Sequence, residues 1–162
     1  MRVRSLLLAA TLGIGAVVIS QPAYAAGPAI QITKIYYNSY GRTSDTPVTN
    51  AKLNGEYVQI KNTTKKAVSL KGWTLRDKQS TASGHIFKFG TFTLGAGKTV
   101  TVRTGKGKNT STNRYWGRSS TQGTFAYIWN NTSDTAYLRN ASGTLKDSCS
   151  YKSKSTVYSK AC

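Results

Sequence analysis

Acidic residues are scarce in this chain. Five of its 162 residues are Asp or Glu, against 23 Lys and Arg, for a formal net charge of +18. The five are Asp45, Glu56, Asp77, Asp134 and Asp147. They stand far apart, so a calcium cage would have only Asp134 or Asp147 to start from, without the dense acidic cluster such sites use. Histidine is rarer still. His85 is the only one, which excludes a paired-histidine metal centre and leaves it expected as a strand-edge residue beside Ile86. Cysteine occurs twice, at Cys149 and Cys162. An even count in an exported chain points to a disulfide, which would remove a thiol nucleophile. No G-x-S-x-G elbow is present. The expectation is no metal, no cofactor and no enzyme. The one enzymatic reading left open is a hydrolase whose carboxylates meet in space.

Long apolar runs are also missing, with one exception. The opening stretch MRVRSLLLAATLGIGAVVISQPAYA has the three parts of a secretory signal. Arg2 and Arg4 supply the positive start, Leu6 to Ile19 the apolar middle, and Ala23-Tyr24-Ala25 the cleavage site. The run is short for a membrane span. Cleavage after Ala25 is expected, giving a signal peptide over 1–25 and one domain over 26–162. The 162 residues less those 25 leave 137, and losing two arginines lowers the charge to +16. That length suits a single core, and no later segment could cross a bilayer. The expected location is extracellular, either free or associated with a cell wall.

Helical periodicity is absent from residues 26–162. Short runs rich in Val, Ile, Thr, Tyr and Phe stand in its place, separated by turn residues. Ile30 and Ile32 share one parity, Ile35 and Tyr37 the other, so a bulge is expected near Thr33. Gly41 to Gly55 holds Pro47 and reads as a loop. In Glu56 to Lys61, Val58 and Ile60 face inward. Val100 and Val102 do the same after a Gly95–Gly97 turn. Leu70, Trp73 and Leu75 are expected in the core. Phe125 to Trp129 reads as a strand, and Leu145 should share a face with Cys149. Seven to nine strands without a crossover helix predict an antiparallel two-sheet sandwich.

Three stretches carry a family likeness: GEYVQIKNTTKKAVSLKGWTLRD (Gly55–Asp77), FKFGTFTLGAGKTVTVRTG (Phe87–Gly105) and WNNTSDTAYLRNASGTLKDSCSY (Trp129–Tyr151). Together they resemble the lamin tail domain. The resemblance implies an immunoglobulin-like β-sandwich and, by analogy with nuclear lamins, an interaction module for proteins or chromatin. Similar domains occur in secreted bacterial proteins. The heptad rod that lamins use for filaments is not found here. A fold so widely used does not by itself assign a function.

One stretch offers chemistry. Thr104 to Ser120 reads TGKGKNTSTNRYWGRSS. It is not a phosphate loop, because Asn109 stands where Ser or Thr must follow Gly-Lys and no helix comes next. It carries Lys106, Lys108, Arg114 and Arg118 beside Tyr115 and Trp116. Cations meeting phosphates while rings stack on bases is how single strands are held. The alternative is that Tyr115-Trp116-Gly117 packs onto the sandwich and the cations are only solvated. Asn62, Asn109, Asn130, Asn131 and Asn140 each open an N-x-[ST] pattern, as chance allows in so Ser- and Thr-rich a chain. The expected partner is therefore a polyanion, DNA first. The rival is a structural envelope protein holding anionic wall polymer or protein partners.

Overall fold

The computed structural model describes residues 27–38, 45–79, 85–154 and 156–162. The signal peptide expected over residues 1–25 lies outside them. Three sheets build the fold. The first holds β1 (Ile30–Tyr36), β2 (Tyr57–Asn62), β7 (Thr99–Arg103), β8 (Asn113–Tyr115) and β11 (Ser159–Ala161), in the order β11-β1-β2-β7-β8. The second holds β4 (Thr74–Arg76), β5 (Ile86–Lys88), β9 (Ser133–Arg139) and β10 (Leu145–Lys152), in the order β10-β9-β4-β5. β3 (Val68–Ser69) and β6 (Thr93–Leu94) form a short pair. All pairings are antiparallel except β7 with β8.

The expected alternation holds in β2 and β7. Val58 and Ile60 face Val102 and Val100 across the ladder, all four buried, while Gln59 and Lys61 point out. Leu70 and Leu75 complete the expected core and are fully buried. Trp73 corrects its own assignment: it is half-buried, packed against the rim of the core. The fully buried tryptophan is Trp129, at 1% exposure. The bulge in β1 falls between Ile32 and Lys34. It turns Ile35 inward after Ile32, which accounts for the parity switch.

Other expectations fail for local reasons. The 41–55 stretch contains a short helix, α1 (Asn50–Gly55), capped by the Thr49 hydroxyl, which accepts from the Lys52 amide at 3.2 Å. Its only fully buried side chain is Leu53. Phe125 to Trp129 is not a strand. Ser120–Ala126 is a kinked 3-10 segment, with Gly123 at φ 58°. Side chains take the backbone groups a ladder would need. Arg118 donates to the Phe125 and Ala126 carbonyls, and the Ile128 amide donates to Glu56. Leu145 is exposed, because a bulge between Leu145 and Asp147 removes it from the face Cys149 occupies.

The sandwich is tied along one lateral edge. Cys149 on β10 is bonded to Cys162, just beyond β11, and no free cysteine remains. Beside the bridge, Asp147 accepts the Ile32 amide at 2.7 Å, at the β1 bulge. Tyr37 stacks on Tyr151 with ring centroids 4.0 Å apart. The bridge closes a sequence separation of 13 residues, worth about 3 kcal/mol in the chain-entropy view. The double variant Cys149→Ser, Cys162→Ser should lower the denaturant midpoint accordingly. Alkylation of both cysteines without prior reduction would refute the bridge.

Candidate functional site

The opposite lateral edge, between β5 and β8, is open. The stretch that composition singled out reaches it by a built path. Lys106 is held at its backbone: its carbonyl accepts from Asn50 and Asn54 of α1, and its amide donates to Asn50 Oδ1 at 2.8 Å. Gly105 lets the chain pass those two side chains, since a Cβ there would sit 2.6 Å from Asn50 Oδ1. Gly107 lies directly beneath the Tyr115 ring, where a Cβ would collide. The chain then returns as β8, parallel to β7, fixed by Arg103 Nε to Asn113 Oδ1 at 2.9 Å and the Trp116 amide to the Arg103 carbonyl at 2.7 Å. The stretch is therefore a folded edge rather than a free loop.

The six residues singled out in this stretch separate into three groups. Lys106 and Lys108 project into solvent. Arg114, Tyr115 and Trp116 converge on a groove of about 480 Å³ between the two sheet edges. Arg118 faces inward to its two carbonyls and serves the fold. The groove also takes Phe87 and Lys88 from β5 and Phe92 from just before β6. None of these three belongs to the stretch; topology alone brings them there.

Within the groove, the Arg114 guanidinium lies 4.0 Å over the Phe92 ring. Its Nε is buried and makes no hydrogen bond. Partial burial lowers the Arg114 pKa, but a guanidinium stays charged across the physiological range. Trp116 is half-buried, 5.6 Å from Phe87 and 6.1 Å edge-on from Trp129. It thus packs on the core and walls the groove at once. The arrangement offers a planar cation, a second cation at Lys88 and aromatic walls, which suits an anionic ligand with flat rings or apolar faces.

The carboxylates are placed otherwise. Glu56, Asp77 and Asp134 are buried, at 1%, 0% and 3% exposure. Glu56 Oε1 accepts from Thr104 Oγ1 at 2.6 Å and the Ile128 amide at 2.9 Å. Burial pushes Glu56 up to about 8 against these bonds. Asp134 accepts the Lys78, Asn130 and Thr135 amides, as a short acid does in a turn. Asp77, just past the end of β4, takes the Gln79 amide and also pairs with His85 Nδ1 at 2.5 Å; burial raises its pKa. His85 therefore has a carboxylate partner that its sequence neighbours do not announce. It opens on a pocket of about 170 Å³ lined by Asp45, Thr124, Tyr127, Asn130 and Asn131. No Ser or Cys is among the described residues of that wall. Among the described residues, no group of three or more His, Cys, Asp or Glu gathers as a metal site. Asn62 is fully buried and its Nδ2 donates to three carbonyls, so its N-x-[ST] pattern is structural.

A family model described as Lamin Tail Domain matches residues 23–153. No curated protein matches the chain.

Proposed function

The chain belongs to the lamin tail domain family, an immunoglobulin-like interaction module, and on that premise we propose an exported, non-catalytic protein that binds polyanions, DNA foremost. Its site is the groove between β5 and β8 together with the basic turn at Lys106 and Lys108. The observation that carries this reading is the convergence of Arg114, Tyr115 and Trp116 with Lys88 on one open edge. The burial of three of the five carboxylates strengthens it, since it leaves the surface more one-sided than the formal charge suggests, +18 for the whole chain and +16 once the two arginines before Ala25 are lost. Cations would hold the phosphate backbone without reading sequence, and the rings would take exposed bases. The disulfide is at home in an oxidising compartment. No helix among the described residues is long and apolar enough to cross a membrane.

The test compares two variants of equal charge. One replaces Lys88, Lys106, Lys108 and Arg114 by Gln; Arg118 is spared because it holds the fold. The other replaces Lys65, Lys71, Lys146 and Lys160, all exposed and elsewhere. The first should weaken DNA binding much more than the second. It should also reduce the slope of log affinity against log salt by about 0.9 for each duplex phosphate that is no longer neutralised, or about 0.7 on a single strand. Trp116→Ala should lower the melting temperature, because the ring rests on Phe87 and Trp129. It should also cost about 1–3 kcal/mol of single-strand affinity if a base stacks on its open side. Equal losses from the two charge variants would reduce the groove to a bystander. An anionic wall polymer would then compete as well as DNA, as the envelope-protein reading requires.

A further inference from the structure

One side chain stands apart from the groove. Phe125 is 83% exposed, whereas the other exposed large apolar side chains among the described residues, Ile86, Leu145 and Val157, lie between 40% and 44%. Its exposure is built. Arg118 Nη2 donates to the Phe125 carbonyl at 2.5 Å and Arg118 Nε to the Ala126 carbonyl at 3.3 Å. Upstream, the Ser119 amide donates to Gln122 Oε1 and the Gln122 amide to the Ser119 carbonyl, both at 3.0 Å. Gly123 at φ 58° makes the kink that turns the ring outward. Downstream, Ala126, Ile128 and Trp129 are buried and anchor the segment in the core. The chain thus carries a braced finger with a phenyl ring at its tip.

We propose that Phe125 is an interfacial anchor that inserts into the headgroup region of an anionic lipid surface. Two observations choose lipid over a protein pocket. First, the exposed part of the ring's own segment offers it no second apolar side chain. Ser119 to Thr124 is uncharged and polar, and Ile86, Leu145 and Val157 belong to other elements. A stable protein interface needs an extended patch around its anchor, whereas peripheral membrane binding combines modest apolar insertion with electrostatic attraction. Second, the charge is complementary. A chain that keeps 21 of its 23 basic residues when the two arginines before Ala25 are removed, and that buries three of its five carboxylates, is drawn to an anionic leaflet. An uncharged finger can then enter without carrying an ion into the interface.

The experiment is co-sedimentation of the protein with phosphatidylcholine vesicles, with and without phosphatidylglycerol, for wild type and Phe125→Ser. Wild type should sediment with the anionic vesicles only. Phe125→Ser should lose roughly tenfold or more in partitioning, as expected for withdrawing a phenyl ring from an apolar setting. Its melting temperature and DNA binding should be unchanged, which separates this anchor from the groove. Phe125→Trp should retain binding and gain quenching by brominated lipid above the wild-type background. Equal binding of Phe125→Ser and wild type would show attraction by charge alone and overturn the proposal. So would failure of wild type to bind anionic vesicles, which would turn attention to a protein partner for the ring.

Discussion

Trp129→Ala should unfold this domain at modest temperature, at a cost of about 3–5 kcal/mol. That is a large share of the 5–15 kcal/mol or so that holds a domain of this size together. Trp129 is the largest fully buried side chain, at 1% exposure. It lies edge-on to Trp116, with ring centroids 6.1 Å apart, so truncation also removes the support of the groove wall. Trp73→Ala should cost less, since Trp73 is half-buried at the rim and the vacated space would open to water. Trp129→Phe should recover part of the loss by refilling the cavity. Thermal melts of the three variants decide the matter. A Trp129→Ala melt equal to wild type, or a Trp73→Ala melt below that of Trp129→Ala, would reverse the assignment.

That contrast also marks what sequence could and could not convey. Val58, Ile60, Val100 and Val102 were legible because a strand with one buried face alternates strictly, and both strands do. Trp129 stood inside an apolar run, Phe125 to Trp129, that reads as a strand. Nothing local says that Arg118 and Glu56 take the backbone groups of that run and bend it away from a ladder. α1 is only six residues long with one buried leucine, too short for helical period to emerge. β8 was hidden for another reason. Asn113, Arg114 and Tyr115 show no alternation, and their pairing with β7 depends on turns around Gly105 and Gly107. Half of the candidate site was written in one stretch as Arg114, Tyr115 and Trp116. The other half comes from outside that stretch: Phe87 and Lys88 on β5 by the sheet order, and Phe92 from the connection to β6. The Asp77–His85 pair likewise joins a strand end to the residue before the next strand across an intervening segment.

Stability should fall as pH rises from about 4.5 to about 8, and Glu56 is the reason. Desolvation raises its pKa from 4.5 to about 8, outweighing the Thr104 hydroxyl and the amides of Ile128 and Trp129, which favour the ionised form. Oε2 is buried and makes no hydrogen bond, so those contacts compensate the charge of the carboxylate only in part. The folded protein therefore keeps this proton up to about pH 8, while the unfolded chain releases it near pH 4.5. Between those values folding takes up a proton, and each pH unit removes about 1.4 kcal/mol of stability. The contribution is fully present below pH 4.5 and is lost as pH passes 8; at most it amounts to about 5 kcal/mol. Glu56→Gln keeps an oxygen for Thr104 and Ile128 and removes the titration. Denaturant midpoints of wild type should decline across this interval, while those of Glu56→Gln decline less and exceed wild type at the alkaline end. Asp77, also raised by burial, slopes the same way but is common to both proteins, so the difference between the curves belongs to Glu56. Glu56→Ala should be worse than either, because it strands the Thr104 hydroxyl and the Ile128 amide in the core, at about 1–3 kcal/mol each. Parallel curves for wild type and Glu56→Gln would mean that Glu56 is ionised in the folded state throughout, with the Trp129 amide closing on Oε2 to hold the charge.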